Sequence, residues 1–315
     1  MVSDDLWSIG ELAGQAGVTV KTVRFYSDRG LLPEAARSSG GHRRYGPPAL
    51  DRLRLIRSLR SLDLPVPEVG RILAAEDASG GALEDAVARQ LRELGSQLAA
   101  LRWQEAALRL VHDATPEERP GLLRLVGAVP APPGSDALAR FWRRVLPARL
   151  PAPLLSSILE SAVPQPPADP TPAQVLAFAR LHVLVGGVQF GKEQCRPASR
   201  MPDDGFRPAV LYAGLGEAYA LASDDLRGRR PPQEGGSLDC FVAAHAQARG
   251  ARDTPAFRRG LAGMLAQTAD PVVERYWDLT GELLSPPSGP AEPTLGSAHT
   301  WLYAALKTQV RAAAL

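Results

Sequence analysis

Cysteine is nearly absent from this chain of 315 residues: Cys195 and Cys240 are the two present. Two thiols far apart, with no Cys-x-x-Cys spacing, supply neither a disulfide framework nor a thiolate-rich metal site. Cys240 and His245 stand five residues apart rather than the four that would share a helical face, so a buried structural thiol is the expected role, with redox or metal chemistry as the alternative. There is no long uninterrupted apolar run and no charge-then-apolar leader, which excludes a membrane span and leaves a cytoplasmic protein as the expectation. A Gly-rich phosphate loop, a Gly-x-Ser-x-Gly elbow and a His-Glu-x-x-His pair are all missing. Gly186-Gly187-Val188-Gln189-Phe190-Gly191 lies in an apolar helical stretch with no strand before it. No enzyme and no cofactor are expected. Lysine is scarce, and the net charge of +2 hides an asymmetry: between Lys21 and Arg60 basic residues far outnumber acids, which are spread over the remainder. A basic face confined to one end fits phosphate binding by that end alone.

What that end does contain is ordered. Ser8 with Glu11 three residues on is a capping box, Ile9, Leu12, Ala13 and Ala16 form a buried stripe, and Gly17 stops the helix. Thr19 caps a second helix in which Val20, Val23 and Phe25 face the first. Lys21, Thr22, Arg24 and Tyr26 then fall on the outer face or N-terminal turns, where a recognition helix meets base edges and phosphates. Gly30 closes this helix. Ser38-Ser39-Gly40-Gly41 signals a hairpin, with His42, Arg43, Arg44 and Tyr45 on the returning strand as a wing whose arginines neutralise phosphates and whose tyrosine donates a neutral hydrogen bond. Leu50, Leu53, Leu55, Ile56, Leu59 and Leu62 mark a further helix, flanked by Arg52, Arg54, Arg57 and Arg60. That helix buttresses the wing; for Arg52 and Arg54 a solvated face and a duplex contact are equally open, while Arg60 is assigned to contact. Helix, turn, basic helix and basic wing together predict a winged helix-turn-helix that binds duplex DNA.

In these residues the chain resembles the MerR-type transcriptional regulators. The resemblance rests on Ile9-Gly10-Glu11-Leu12-Ala13, Gly17-Val18, Thr22-Val23-Arg24-Phe25-Tyr26, Gly30-Leu31-Leu32-Pro33 and Arg43-Arg44-Tyr45, then on a helical pair from Leu50 to Leu73, and reaches to about residue 110. It implies that Thr19, Lys21, Thr22, Arg24 and Tyr26 face the major groove or its phosphates, that Arg43, Arg44 and Tyr45 form the first wing, and that Arg60 and Leu62-Asp63-Leu64-Pro65 lie near a second. His42 stands where the family often has tyrosine, and Pro65 and Pro67 stiffen the second-wing turn. The resemblance further implies a dimer that bends and untwists promoter DNA, with RNA polymerase as a partner and a ligand setting the pose of the two heads.

From Leu83 to Val111, Leu83, Val87, Leu91, Leu94, Leu98, Leu101 and Leu108 keep steps of four and three, broken at Glu105. A narrow leucine stripe sustained over about four heptads predicts a coiled coil with a second copy of the chain. Docking of the stripe on the chain's own C-terminal half is the alternative. Gly80-Gly81 is a joint ahead of it.

Beyond Asp113, Thr115-Pro116, Thr171-Pro172, Thr254-Pro255 and Asp270-Pro271 each place a capping side chain before a proline at the first helical position. Helices are expected near 116–126, 136–146, 151–162, 172–190, 206–222, 237–249, 255–268, 271–284 and 294–313. Weak strand signals exclude a mixed α/β effector domain, and there is no Asp-x-His-x-x-Gly run of a cobalamin sensor. Aromatic residues gather on these helices. Tyr276, Trp277, Trp301 and Tyr303 are candidates for lining an apolar pocket, with His182, Glu217, His245 or Glu274 as polar handles; their use as ordinary core is the competing reading.

The sequence therefore predicts a mainly α protein: a winged helix-turn-helix at residues 1–75, a coiled-coil dimerisation helix at 76–113 and an all-α effector-binding domain at 114–315. The expected function is a homodimeric transcriptional regulator on a palindromic promoter site, modulated by a small apolar organic effector. A ligand-independent architectural or partner-controlled DNA-binding protein is the alternative. Operator, direction of regulation and effector identity are not written in these residues.

Overall fold

The computed structural model describes residues 6–75, 81–130, 133–187, 205–286 and 292–313. Contacts divide the chain into two compact units, 1–97 and 98–315. The expected joint residue Gly80 and the thiol Cys195 lie outside the described residues.

The first unit begins with β1 (Trp7–Ser8) and α1 (Ile9–Ala16). Both halves of the capping box form: Glu11 N–H donates to Ser8 Oγ and Ser8 N–H donates to Glu11 Oε2 at 2.6 Å, which satisfies two of the helix's orphan donors. Gly17 ends the helix at φ 63°, a left-handed conformation that glycine adopts without a Cβ penalty. Thr19 caps α2 (Val20–Asp28), accepting from Thr22 N–H. A hairpin of β2 (Ala36–Arg37) and β3 (Arg43–Tyr45) follows, its turn tied by Ser38 N–H to His42 O and Gly41 N–H to Ser38 O. The sheet order is β1-β3-β2, antiparallel throughout, with Trp7 opposite Tyr45 and Arg37 opposite Arg43. The pairing of β1 with the hairpin was not legible in the sequence, because two residues carry no periodicity. α3 (Pro47–Ser61) and α4 (Val66–Ala75) complete a core of Leu12, Val23, Tyr45, Leu53, Ile56, Leu64, Val69 and Leu73.

The long α5 (Ala82–His112) crosses the division between the units. In the first unit it contributes Ala86 to the core, and Glu68, itself buried, takes ion pairs from Arg71 and Arg89. In the second, Trp103, Ala106 and Ala107 enter the core. The leucine stripe faces elsewhere: Leu83, Leu91, Leu94, Leu98, Leu101 and Leu108 are 41–64 % exposed, and Val87 is half-buried.

The second unit is all helix among its described residues: α6 (Arg119–Gly127), α7 (Asp136–Val145), α8 (Ala152–Ala162), α9 (Pro172–Gly187), α10 (Pro208–Arg227), α11 (Gly236–Ala248), α12 (Pro255–Thr268), α13 (Pro271–Leu284) and α14 (Leu295–Ala312). The proline punctuation works as expected at Thr171, Thr254 and Asp270, whose side chains accept from the backbone N–H of Gln174, Phe257 and Val272. At Thr115 it does not. The Glu118 carboxylate reaches back to the Thr115 N–H and hydroxyl, both at 3.1 Å, and the helix starts later at Arg119.

Two apolar clusters fill this unit. One gathers Trp103, Phe141, Trp142, Phe178, Leu181 and Tyr276; the other gathers Leu215, Phe241, Leu261, Trp301 and Leu302. Close approach is built in at two glycines: a Cβ on Gly214 would lie 2.6 Å from that of Ala244, and one on Gly296 would lie 2.1 Å from the Trp277 ring.

Beside Phe241 of the second cluster a histidine is buried. His245 is 4 % exposed with its Nε2 unpartnered, and burial, the neighbouring Arg249 and His299 depress its pKa to about 3. His299 is likewise lowered by burial, and its Nδ1 shares a hydrogen bond of 3.0 Å with the Tyr219 hydroxyl. A histidine kept neutral when folded is protonated first in the unfolded chain, so its contribution is intact above the ordinary value of 6.5 and is lost as pH falls from there toward 3. Urea unfolding of the parent should therefore give stability that declines from pH 7 to pH 5. The decline should be shallower in His245→Phe, and parallel curves would remove His245 as its source.

Candidate nucleic-acid interface

The outer face of the first unit is assembled from α2, the hairpin and the turn after α3. On α2, Thr19, Lys21 and Arg24 are exposed and Thr22 is half-exposed, its hydroxyl bonded to that of Thr19 at 2.8 Å. Among the described residues neither Lys21 nor Arg24 has a carboxylate partner, so both charges are free to meet an anionic surface.

Two tyrosines expected on this face are not on it. Tyr26 is buried and Phe25 is 39 % exposed, the reverse of the apolar assignment. The reason is helical phase: Val23 is fully buried, and the residue three further on shares its face while the residue two further on does not. The Arg29 guanidinium lies over the exposed Phe25 ring, 3.7 Å from its centre. Val20, also expected to face α1, is 40 % exposed. Tyr45 is 0 % exposed, and its hydroxyl donates to Ser27 Oγ at 2.9 Å instead of pointing outward from the wing. The remaining wing residues are accessible: His42 is exposed, Arg43 and Arg44 half-exposed.

The arginines of α3 are largely engaged within the protein. Arg52 Nε donates to Leu31 O at 2.8 Å, Arg57 donates to Ala16 O at the end of α1, and Arg54 pairs with Asp51. Arg60 Nη1 donates to Leu64 O at 2.5 Å, bracing a turn in which Asp63 adopts φ 60°. The Arg57 bond satisfies an orphan acceptor at the end of α1. These bonds were not foreseen, since a flank of arginines has the same sequence signature whether it braces a helix end or faces a phosphate.

The four candidate ligand-binding residues have different surroundings among the described residues. Tyr276 is fully buried, stacked on Phe141 with ring centres 5.4 Å apart, its hydroxyl donating to Ala162 O at 2.7 Å. Trp277 packs against Trp142 in the same cluster, whereas Trp301 belongs to the other one and donates Nε1 to Arg230 O. Tyr303 is half-exposed beside Lys307. A cleft of about 310 Å³ in this unit is lined by Leu221, Asp224, Asp225, Glu234, Ser237 and Trp301, a mixed polar and apolar surface with Trp301 as the one aromatic among its lining residues. Of the polar handles, His182 is held between Phe178 O and Gly134 O and His245 is packed in core. Cys240 is half-buried, its thiol pushed up by burial and by Glu217, and among the described residues no three His, Cys, Asp or Glu side chains gather as a metal-ligand set.

A capped helix pair with an exposed basic second helix, followed by a basic hairpin, defines a winged helix-turn-helix module. Residues 7–76 match the MerR HTH family of regulatory proteins. The chain is 38 % identical over 120 residues to the HTH-type transcriptional activator TipA of Streptomyces coelicolor, a stretch covering 36 % of this chain and 46 % of that protein. It is 36 % identical over 107 residues to the HTH-type transcriptional regulator ZntR homolog of Haemophilus influenzae, covering 32 % of this chain and 79 % of that one. The crystal structure of the transcription regulator PbrR691 from Ralstonia metallidurans CH34 in complex with lead(II) is 34 % identical, over 36 % of this chain and 93 % of that chain, with a TM-score of 0.31. The chain belongs to the MerR family of transcriptional regulators, a family that is not one of enzymes. It spans less than half the length of TipA.

Proposed function

We propose that this protein is a cytoplasmic, DNA-binding transcriptional regulator that acts as a homodimer on a palindromic promoter site. The observation that carries the reading is the exposed face of Thr19, Lys21 and Arg24 beside the Arg44 wing, whose three cations make no ion pair among the described residues. The dimer is supported by the bare leucine stripe of α5; within the second unit Leu98, Leu101 and Leu108 stay exposed because a different face, Trp103, Ala106 and Ala107, packs there. Residues 1–75 supply the head, 76–113 the seam and 114–315 the regulatory domain. Modulation passes through that last domain, and RNA polymerase is the partner at the promoter. For the signal, capture of a protein or another polar partner is favoured over an apolar effector by one observation: the large aromatics are consumed as core.

Titration of a duplex at several salt concentrations tests the reading. Binding should weaken with a slope set by the number of phosphates neutralised, about 0.9 per contact, and Lys21→Ala should reduce that slope by about one. A parent protein whose affinity is insensitive to salt would overturn it.

A further inference from the structure

Arg43 and Arg44 are chain neighbours, yet the strand sends them in opposite directions. Alternation along β3 puts Arg43 on the side of Tyr45 and Arg44 on the other. On the first side the contacts are to the end of α2 and the loop after it: Tyr45 donates to Ser27, Arg43 Nη1 donates to Asp28 Oδ1 at 2.6 Å, and Arg43 Nε lies 3.4 Å from Glu34 Oε2. The other oxygen of Glu34 takes Arg37 Nε at 2.9 Å. Two cations and two carboxylates thus close into a network with no net charge. The Asp28 hydrogen bond raises the Arg43 pKa, in keeping with a cation already provided with its counter-ion. Arg44 has no ion pair among the described residues. Glu11, whose pKa is lowered by its bonds to Ser8 and then by Arg44, is committed to the Ser8 N–H.

Resting on the reading of this chain as a DNA-binding protein, the geometry points to Arg43 as a positioning residue that fixes the wing against the recognition helix through Asp28, and to Arg44 as the wing arginine that neutralises phosphate. A guanidinium that left Asp28 for the duplex would expose an uncompensated carboxylate to the phosphates. It would also free the strand two residues from the buried Tyr45–Ser27 bond.

The test replaces the ion pair by an amide pair without changing net charge. Full-length parent, Arg43→Gln with Asp28→Asn, and Arg44→Gln are titrated against a fluorescent duplex of random sequence between about 50 and 200 mM salt. The double variant should keep the parent's slope, whereas Arg44→Gln should lose about one unit of slope. Arg43→Lys keeps the charge and loses the two-pronged fork, so it should bind more weakly at unchanged slope, and it decides the matter if circular dichroism shows the double variant unfolded. A loss of slope in the double variant equal to that of Arg44→Gln, or parent affinity in Arg43→Lys, would overturn the assignment. A parent with no salt-dependent binding would overturn the DNA-binding reading itself, an outcome separate from the other two.

Discussion

Chains carrying Leu94→Asp and Leu98→Asp together should run as monomers in light scattering. Leu94 and Leu98 are each 49 % exposed on one face of α5. A leucine stripe left half in water is stabilised only by a second such stripe, and a charge placed at each of two successive core positions must be desolvated without a partner when the helices pair. Neither side chain belongs to the apolar clusters of the two units, so the monomer should keep its folded heads and its far-ultraviolet circular dichroism. Losing the second head removes the gain from tethering, which puts operator binding about 10²–10⁴-fold weaker. An intact dimer in the double variant would refute the seam.

Truncation of Tyr276 to alanine should destabilise the second unit by about 3–5 kcal/mol, read as a shift in the urea midpoint without any ligand present. Its ring is stacked on Phe141 and meets Trp142 edge-on at 5.2 Å, so removing it opens a cavity whose walls are other rings held by helices on several sides. Tyr276→Phe should cost less, about 1–3 kcal/mol, because only the hydroxyl bond to Ala162 O is lost and that carbonyl is left buried and unpaired. Tyr303→Ala, on the half-exposed face of α14, should be close to neutral. A Tyr276→Ala chain as stable as the parent would mean that the ring is not core but a free wall available to a ligand.

The head was legible because its determinants are local. Ser8, Glu11, Gly17 and Thr19 act within four residues of themselves, and the helices they bound came out where those side chains put them. The helices of the second unit were legible for the same reason, from Thr254-Pro255 and Asp270-Pro271. What failed was the direction of individual side chains. Phe25 outranks Tyr26 in apolarity, and the reading followed apolarity where the spacing from Val23 should have ruled. Tyr45 looked like a wing hydroxyl because its partner, Ser27, is eighteen residues away and invisible until the hairpin folds back. The arginines of α3 were ambiguous for an allied reason: a guanidinium reaching for a carbonyl one element away and one reaching for phosphate read the same in one dimension. Aromatic residues on seven of the second unit's helices gave no clue to which cluster each would join.

The closed charge network at the base of the wing has a bearing on how such a protein finds its site in a chromosome. Every uncompensated arginine strengthens attachment to any stretch of duplex equally, and a genome offers about 10⁶–10⁹ stretches that are not the target. Arg37 and Arg43, balanced by Glu34 and Asp28, shape the wing without adding to that indiscriminate pull. Under the proposed DNA-binding function, a wing rich in arginine would then spend little of its time parked on irrelevant DNA, which would shorten the search and raise occupancy of a promoter at a given number of copies per cell.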